Sequence, residues 1–233
     1  MENKTYVIIG ASAGIGLEIT RRLSAQGARV LAYSRRPVPE NLPGVEWQAL
    51  DVLSPDFKLE NLPEQVHGFV YCPGSINLKS FSRVAASELR DDLEINVVGA
   101  FRTLQQAYPA LRASGSGSAV LFSSVVVQTG MMMHASIAAA KGAVEGLTRS
   151  LAAEWAPTIR INAIAPSLTD TPLAAKLLSS DEKRQNSANR HPLKRVGTPA
   201  DMAAMALFLL SDSAGFITGQ VMHVDGGMGT VIS

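Results

Sequence analysis

The sequence predicts an α/β protein built on a doubly wound parallel sheet, because short apolar runs alternate with helical patterns along the chain. The first run, Tyr6–Ile9, passes through a glycine-rich turn into a helical pattern over Leu17–Ala25. A later run, Ala119–Phe122, passes through a loop into an Ala-rich helix that contains Lys141. Strands joined through helices lie parallel in one sheet, so we expect helices on both of its faces.

Size, composition and charge narrow the class of protein. A chain of 233 residues with 46% hydrophobic residues can bury a two-sided core as one domain. Lys and Arg total 21 against 20 acidic residues, so neither nucleic acid nor a membrane surface is predicted as a partner. No apolar run approaches the roughly 18 to 20 residues of a membrane span, and the N-terminus shows no signal-peptide pattern. We therefore expect a cytoplasmic protein.

Cysteine, histidine and serine usage argues against two kinds of site. The single cysteine, Cys72, cannot form an intramolecular disulfide or a zinc site built on several Cys, and we expect it to be buried as a small hydrophobic residue. Ser124 lacks the G-x-S-x-G context of a nucleophilic serine. No metal site is predicted, because the four histidines are scattered along the chain: His67, His134, His191 and His223.

The turn after the first strand has the composition of a dinucleotide site. It reads GASAGIG over residues 10–16. Glycines at such a turn let the backbone approach a pyrophosphate at a helix N-terminus, where free N–H groups and the helix dipole favour an anion. The spacing is G-x-x-x-G-x-G rather than the commoner G-x-G-x-x-G, and a tight strand–helix turn without a ligand is the alternative.

The second predicted strand, Ala28–Tyr33, indicates which nicotinamide cofactor would bind. An enzyme that uses NAD carries an Asp or Glu near the end of this strand, to bond the ribose 2′-hydroxyl. Here the strand ends in Ser34 and Arg35, and an Arg suits a 2′-phosphate. These residues favour NADP(H) over NAD(H); the alternative is that Arg35 and its neighbour are solvated loop residues.

The rest of the chain continues the alternation of strands and helices. Segment 53–65 holds two prolines and no clean helical face, so any helix there is short or absent. Segment 167–198 is polar and helix-like only in short pieces, which favours a substrate lid over a second domain. The remaining predicted elements are strands over Val45–Val52, His67–Cys72, Ile159–Ala165 and Val221–Val224, and helices over Glu88–Arg112, Ala135–Ala153 and Pro199–Leu210.

Taken in order, these features resemble the short-chain dehydrogenase/reductase family over essentially the whole chain. The resemblance implies one Rossmann-type domain over residues 1–233, with about seven strands and a nicotinamide cofactor across the carboxyl edge of the sheet. It also implies a homodimer or homotetramer formed through helices 88–112 and 135–153. The features that carry it are GASAGIG at 10–16, Asp51-Val52, Asn96 in NVVG, Ser124, Lys141 and VDGG at 224–227.

The same resemblance implies roles for the matching cofactor residues. Gly10, Gly14 and Gly16 would line the pyrophosphate. The adenosine ribose and its phosphate would lie at Ser34 and Arg35, and Asp51 would bond the adenine. The other implied cofactor contacts are Ser12, Ile15, Val52, Gly74, Lys141, Pro166 and Thr171, the last matching the family's Thr after a Pro-Gly turn that here reads Pro-Ser.

Three residues match the family's catalytic machinery. Ser124 would polarise a substrate carbonyl. Lys141 would hold the nicotinamide ribose and lower the pKa of a neighbouring acid, and Asn96 would position a water in the proton relay. The substrate implied is a small molecule, a carbonyl or an enone or enoyl compound.

Two departures from the family pattern fall at the centre of this site. The family's catalytic Tyr precedes its Lys by four residues, so that both project from one helix face; here that position is Ile137. Ile cannot donate a proton to a developing alkoxide, so the usual general acid is missing. The family's Asn-Asn-Ala-Gly turn after the fourth strand reads Tyr-Cys-Pro-Gly at 71–74, which loses polar groups beside the cofactor.

The missing tyrosine leaves three interpretations open. In the first, the protein is a reductase of a carbonyl or activated double bond with another proton donor. His134 lies seven residues before Lys141, where the family's enoyl reductase branch has its Tyr, and can share a helix face with it if the helix extends so far. A water ordered by Lys141 and Ser124 is another candidate donor.

In the second interpretation, the chain binds NADP but turns over poorly or not at all, and acts in regulation or as a scaffold. The retained Ser124, Asn96 and Lys141 argue against it, although the cofactor ribose alone would account for Lys141. In the third, a natural tyrosine was deliberately replaced by Ile137, although Phe or Ala is the usual choice for inactivating such a position.

Overall fold

A computed structural model describes residues 1–231 of the chain. Its seven strands form one sheet, and every neighbouring pair is parallel. The strands are β1 (Thr5–Ile9), β2 (Arg29–Ser34), β3 (Val45–Ala49), β4 (Gly68–Tyr71), β5 (Gly117–Phe122), β6 (Ile159–Pro166) and β7 (Val221–Val224). Their order in space is β3-β2-β1-β4-β5-β6-β7, so the winding reverses between β1 and β4. The predicted fold class, a single-domain Rossmann-type doubly wound sheet, is confirmed.

Helices cover both faces of this sheet. Between β3 and β4, residues 50–67 form no helix, as the prolines of that segment predicted. Every helix of the described chain is too short or too polar to cross a membrane. The helices are α1 (Gly14–Ala25), α2 (Ala86–Leu93), α3 (Gly99–Ala113), the single turn α4 (Val126–Thr129), α5 (Ala135–Trp155), α6 (Asp181–Asn189) and α7 (Pro199–Leu210), with 3-10 turns at Phe81–Arg83, Pro172–Leu178 and Asp212–Ala214.

The core has two halves because alternate residues of each strand point to opposite faces. Along β1, Tyr6 and Ile8 pack with side chains of α1 and α7, whereas Val7 and Ile9 pack with side chains of α3 and α5. All four residues are 1% exposed or less. A strand buried on both faces reads as a continuous apolar run, which is why β1 was recognisable in the sequence.

The helix predicted over Glu88–Arg112 is real in extent but not uniform. It begins at Ala86, and residues Glu94–Val98 between α2 and α3 form a π-helical segment that contains Asn96. A hydrophobic pattern of three- and four-residue steps does not reveal one widened turn. Such π segments inside α-helices are frequently found at functional sites.

The third strand is shorter than predicted. Instead of extending over Val45–Val52, β3 ends at Ala49. Asp51 Oδ1 accepts a 3.1 Å hydrogen bond from the N–H of Leu53, and this local turn bends the chain away from the sheet. Asp51 therefore lies just beyond the carboxyl end of β3.

Candidate active site

One cavity of about 330 Å³ opens at the carboxyl ends of the central strands. This is where doubly wound sheets bind ligands, at the point where the winding reverses. None of the lining residues is an Asp or a Glu, whereas Lys141 and Arg190 are among them. The predicted site residues that line it are Ile15, Gly74, Ser124, His134, Ile137, Lys141, Pro166 and Thr171.

The glycine-rich turn between β1 and α1 has the geometry of an anion site. Gly10 has φ +83°, which only glycine adopts readily, and a Cβ on Gly16 would collide with the carbonyl oxygen of Gly10. No side chain caps α1, and its first turn holds no acidic residue. The free N–H groups at this N-terminus therefore fit the pyrophosphate of a dinucleotide.

The turn also contacts the start of the polar segment after β6. A Cβ on Gly14 would lie 3.2 Å from Cγ2 of Thr171, so the two residues pack directly against each other. Ser12 is half-buried in the same turn. Thr171 thus lies between the glycine turn and the cavity, a position that fits its predicted cofactor contact.

The predicted adenosine end lies outside the cavity, beyond β2 and β3. The Ser34 hydroxyl donates to the carbonyl of Arg36 at 2.6 Å and accepts from Trp47 Nε1 at 3.1 Å, so its hydrogen is already committed. Arg35 is exposed and forms no ion pair with a side chain of residues 1–231. Arg35 is therefore the residue of this pair whose side chain is available to a 2′-phosphate.

Two further residues predicted at the adenosine end differ in accessibility. Asp51 is exposed, and its carboxylate retains acceptor capacity beyond the bond from Leu53. Val52 is buried, and a Cβ added to Gly99 would lie only 3.3 Å from the Cβ of Val52. Val52 reaches a cofactor through its backbone or not at all.

Lys141 is held below the carboxyl end of β5. Its ammonium group donates a 2.8 Å hydrogen bond to the carbonyl oxygen of Phe122, and only 9% of the residue is exposed. Burial lowers the pKa of Lys141 to about 8, while the nearby Cys72 and Asp92 act in the opposite direction. The lysine is therefore a cation at neutral pH that loses its charge under mildly alkaline conditions.

Asn96 leaves one polar atom without a partner beside this lysine. Its amide nitrogen donates to Ser75 Oγ at 3.0 Å and to the carbonyl of Asp92 at 2.8 Å, but its Oδ1 is buried and unpaired within the described chain. A Cβ on Gly74 would lie 3.1 Å from that oxygen and 3.5 Å from Lys141 Nζ. An unpaired buried acceptor costs about 1 to 3 kcal/mol, so this space fits a donor such as a water or a ribose hydroxyl.

Asp92 also belongs to this cluster, although no sequence pattern predicted it. The carboxylate is 3% exposed and accepts 2.5 Å hydrogen bonds from the hydroxyls of Ser75 and Ser136. In the sequence it follows Asp91 in a polar helical stretch, which is typical of a solvated helix face. Only the packing of α2 against α5 brings the carboxylate into the interior.

The position predicted to match the family's tyrosine is occupied by a buried apolar residue. Ile137 is 6% exposed and lines the cavity from the first turn of α5. The turn at Cys72 offers no replacement acid, because burial raises the pKa of its thiol to about 12. The side-chain Oγ of Ser124 accepts only a long 3.5 Å hydrogen bond from the N–H of Val126. Its hydroxyl hydrogen can therefore still be donated to a ligand.

His134 lies in the cavity wall but not in the helix. The prediction that it shares a helical face with Lys141 required α5 to extend to it, and α5 begins at Ala135. His134 is the residue before the helix, with φ −108°, and its Nδ1 lies 2.7 Å from the carbonyl oxygen of Met132. That carbonyl can only accept, so Nδ1 donates and Nε2 is the nitrogen left for a ligand.

A second histidine enters the site from the segment after β6. His191 Nε2 lies 2.8 Å from the hydroxyl of Ser167, and His191 Nδ1 lies 2.8 Å from the carbonyl oxygen of Ser187. Ser167 and His191 are both buried, and both line the cavity. No sequence motif links residues 24 positions apart, so sequence analysis missed this pair.

Comparison with known proteins identifies the family of this chain. A protein-family model described as "Enoyl-(Acyl carrier protein) reductase" matches residues 58–229. A tropinone reductase homologue of Arabidopsis thaliana is 34% identical, over 98% of this chain and 94% of its own length. The chain belongs to the short-chain dehydrogenase/reductase family. This family of oxidoreductases is the one that the motifs indicated.

Other short-chain dehydrogenases/reductases match over nearly the full chain. The 3-oxoacyl-[acyl-carrier-protein] reductase MabA of Mycobacterium tuberculosis is 32% identical over 97% of this chain and 93% of its own. The ligand-free aldohexose dehydrogenase of Thermoplasma acidophilum superposes with a TM-score of 0.90 at 29% identity, covering 99% and 96% of the two chains. A putative NAD(P)-dependent gluconate 5-dehydrogenase from Beutenbergia cavernae is described with bound NADP at low occupancy. It superposes with a TM-score of 0.88 at 33% identity, covering 98% of this chain and 97% of its own.

Proposed function

We propose that this chain is an NADP(H)-dependent oxidoreductase that transfers hydride to a carbonyl or activated double bond, with a proton donor other than tyrosine. One observation carries the proposal: Ser124 and Lys141 line the same cavity as Ile15 and Thr171, which belong to and contact the glycine turn. A cofactor held at that turn would therefore reach a substrate held at Ser124.

The residues present fit a nicotinamide dinucleotide along its whole length. The N-terminus of α1 would hold the pyrophosphate, and Arg35 the 2′-phosphate. Lys141 and the unpaired Oδ1 of Asn96 would hold the nicotinamide ribose and a water. When bound, the reduced nicotinamide supplies the hydride.

The preference for NADP(H) rests on charge at the end of β2. The residues that follow are Arg35 and Arg36, and the first acidic residue after them, Glu40, is paired with Arg21. A carboxylate that could bond a ribose 2′-hydroxyl is therefore not positioned there, whereas a guanidinium for a 2′-phosphate is. The NADP named for the Beutenbergia cavernae relative agrees with this preference.

Two side chains would stabilise charge on the substrate oxygen. Ser124 can donate its hydroxyl hydrogen, and the Lys141 ammonium places a positive charge in the same cavity. Both line a cavity that is partly shielded from solvent, where electrostatic stabilisation is stronger than in water. His134 and a water held between Asn96 and Lys141 are candidate proton donors, because Ile137 cannot act as one.

The segment 167–198 would serve as the substrate lid. Its 3-10 turn Pro172–Leu178 and helix α6 contribute the wall of the cavity opposite the sheet. Arg184 of α6 forms an ion pair with Asp170 at 2.6 Å, which ties α6 to the start of the same segment. Apolar residues of the 3-10 turn, Leu173 among them, favour a substrate with an apolar part.

A second copy of the chain is the partner we propose. Val98, the last residue of the π-helical segment, and Phe101 of α3 are large apolar residues that are 37% and 43% exposed. Both lie within helix 88–112, one of the two helices that the family resemblance places at a homodimer or homotetramer interface. Light scattering coupled to size exclusion gives the assembly mass directly, and a monomer at micromolar concentration would contradict this part of the proposal.

The competing function is a cofactor-binding protein without turnover, and the buried Ile137 favours it. Turnover separates the two: NADPH oxidation is followed on a panel of ketones, enones and short 3-oxoacyl thioesters. Oxidation that depends on one substrate supports the oxidoreductase, and His134→Ala then tests that histidine as the acid. NADPH binding without oxidation on any substrate supports the binding protein.

A further inference from the structure

We infer that the Ser167 hydroxyl, hydrogen-bonded to His191, is the proton donor that replaces the missing tyrosine. This inference rests on the proposed function and adds to it the identity of the acid. It makes Ser167, the serine of the Pro-Ser turn, a catalytic residue, and it makes His191 the group that returns a proton to Ser167.

The hydrogen bonds fix which atom of each side chain carries a proton. The carbonyl oxygen of Ser187 can only accept, so His191 Nδ1 carries hydrogen in either charge state. When the ring is neutral, Nε2 accepts the Ser167 hydrogen; when it is protonated, Nε2 donates to Ser167 Oγ. In the second state the Ser167 hydrogen is free to be donated to a third group, which the cavity can hold.

Burial and packing hold the side chains of Ser167 and His191 in place. His191 is 2% exposed and Ser167 is 9% exposed. The ring packs against the turn after β7, where a Cβ on Gly226 would lie 3.5 Å from His191 Cδ2. A group that donates a proton in a transition state must be held in place, and these contacts hold both partners.

Ser167 comes directly after β6, and Ser124 lies two residues beyond the end of the neighbouring strand β5. The N–H of Val125 donates a 3.0 Å hydrogen bond to the carbonyl of Pro166, so the chain segments that contain Ser124 and Ser167 leave the sheet side by side. Both hydroxyls line the cavity, as does Lys141. A substrate oxygen bound to Ser124 would therefore lie within the space that Ser167 lines.

The proposed step balances in protons and electrons. The hydride comes from the reduced nicotinamide, and the π electron pair of the substrate C=O moves onto its oxygen. That oxygen takes the Ser167 proton as Ser167 Oγ takes the Nε2 proton of His191, so an O–H bond forms at the product. His191 is left neutral and recovers a proton from solvent.

The groups that surround His191 include no ion-pair partner for its ring. None of the ion pairs within residues 1–231 involves His191. Asp225 accepts hydrogen bonds from the N–H groups of Gly227 and Gly229, and Asp201 is paired with Arg195. The charged or titratable groups nearest in the chain or across the adjoining cavities are Cys72, His134, Lys141, Arg190, Lys194, Arg195, Asp201, His223 and Asp225.

The test compares Ser167→Ala with Ser167→Thr, which restores a hydroxyl, and with Ser179→Ala, a matched change at an exposed lid position. We expect Ser167→Ala to lower kcat about 100-fold, the usual range for a general acid. NADPH affinity and the thermal midpoint should stay at wild-type values, and Ser167→Thr should recover most of the rate. A loss confined to KM would show that Ser167 only binds substrate and would overturn the inference.

A second readout needs no turnover. In protein with 15N-labelled histidine, the Nε2 signal of His191 reports its partner directly. Ser167→Ala should shift that signal, and Ser179→Ala should leave it unchanged. An unshifted Nε2 signal in Ser167→Ala would mean that the hydrogen bond does not exist, and the inference would fail.

The two levels of proposal fail separately. If the wild-type chain oxidises NADPH on a substrate and Ser167→Ala keeps that rate, the oxidoreductase stands and the Ser167 donor is wrong. If the wild-type chain oxidises NADPH on no substrate of the panel, the proposed function and the donor role fail together.

Discussion

The ammonium group of Lys141 donates a 2.8 Å hydrogen bond to the carbonyl oxygen of Phe122, the last residue of β5. This bond fixes the lysine at the carboxyl edge of the sheet, beside Gly74 and the unpaired Oδ1 of Asn96. Part of the proposed cofactor site is thus preorganised by the backbone of the central strand. The lysine lines the cavity from this position.

The lowered pKa of Lys141 predicts that NADPH binding weakens above about pH 8. The cation that would hold the nicotinamide ribose is lost as pH rises through that value, whereas an ordinary lysine would keep it to about 10.5. We expect the NADPH dissociation constant to rise above pH 8 in the wild type. In Lys141→Met the NADPH dissociation constant should be at least about tenfold larger than in the wild type, because a charged hydrogen bond is lost. It should not vary with pH. Lys58→Met, at an exposed position, is the control.

The lowered pKa of Lys141 also affects how the free energy of unfolding depends on pH. Between pH 8 and 10.5 the unfolded chain binds more protons at this lysine than the folded chain does, so the lysine's contribution makes the free energy of unfolding rise with pH over that interval. Urea unfolding of the wild type and Lys141→Met at several pH values measures the difference. A difference between the two proteins that does not vary from pH 8 to 10 would contradict the lowered pKa.

Restoring the family's acid should increase turnover. Ile137→Tyr places a phenol four residues before Lys141, on the same face of α5. If Ser167 or water is a poorer donor, we expect kcat to rise about tenfold or more. The larger side chain is inserted into a packed wall, at a stability cost of about 1 to 3 kcal/mol. Ile137→Phe has the same ring without the hydroxyl, and an equal gain in that control would show that shape rather than acidity is responsible.

Arg35 should control the choice of cofactor. Removing its guanidinium in Arg35→Ala takes away a charge-assisted bond to the 2′-phosphate, so we expect NADPH affinity to fall about 10- to 100-fold. NADH lacks that phosphate, and its affinity should not change. Arg36→Ala, equally exposed, is the matched control. Equal losses for NADPH and NADH would mean that Arg35 does not contact the phosphate.

Adding a methyl group at Gly74 should impair cofactor binding rather than folding. Gly74→Ala would place a Cβ 3.1 Å from Asn96 Oδ1 and 3.5 Å from Lys141 Nζ, in the space assigned to the ribose and water. Turnover and NADPH affinity should fall while the thermal midpoint changes little. Gly146→Ala, on α5 with no heavy atom within 4 Å of its added Cβ, should instead stabilise the protein by about 0.5 to 1 kcal/mol. Wild-type affinity in Gly74→Ala would remove this space from the cofactor site.

The sequence predicted the fold better than the site because the two depend on different information. The strand Val221–Val224 and the helix Pro199–Leu210 were predicted with their observed boundaries, since local apolar pattern and the Pro at the helix start define them. The doubly wound parallel arrangement of about seven strands followed from the alternation and the family motifs. Glu88–Arg112 was predicted as one helix, because an apolar period cannot register the π segment around Asn96.

The residues that the sequence could not place are those defined by contacts between distant segments. His191 meets Ser167 only because the chain after β6 folds back over the cavity, and Asp92 is buried only because α2 packs on α5. Neither residue belongs to a local pattern that signals burial. His134 was predicted in the site from its spacing to Lys141, and it reaches the cavity as the residue before α5 rather than as part of the helix.

A titration of the purified chain with NADPH and with NADH, followed by nicotinamide fluorescence, tests the proposed cofactor site directly. We expect saturable binding of NADPH at one site per chain, weaker binding of NADH, and loss of the NADPH preference in Arg35→Ala. Binding of neither nucleotide would contradict the assignment of the glycine turn and of the whole site. Tighter binding of NADH than of NADPH would keep the site and contradict the role of Arg35.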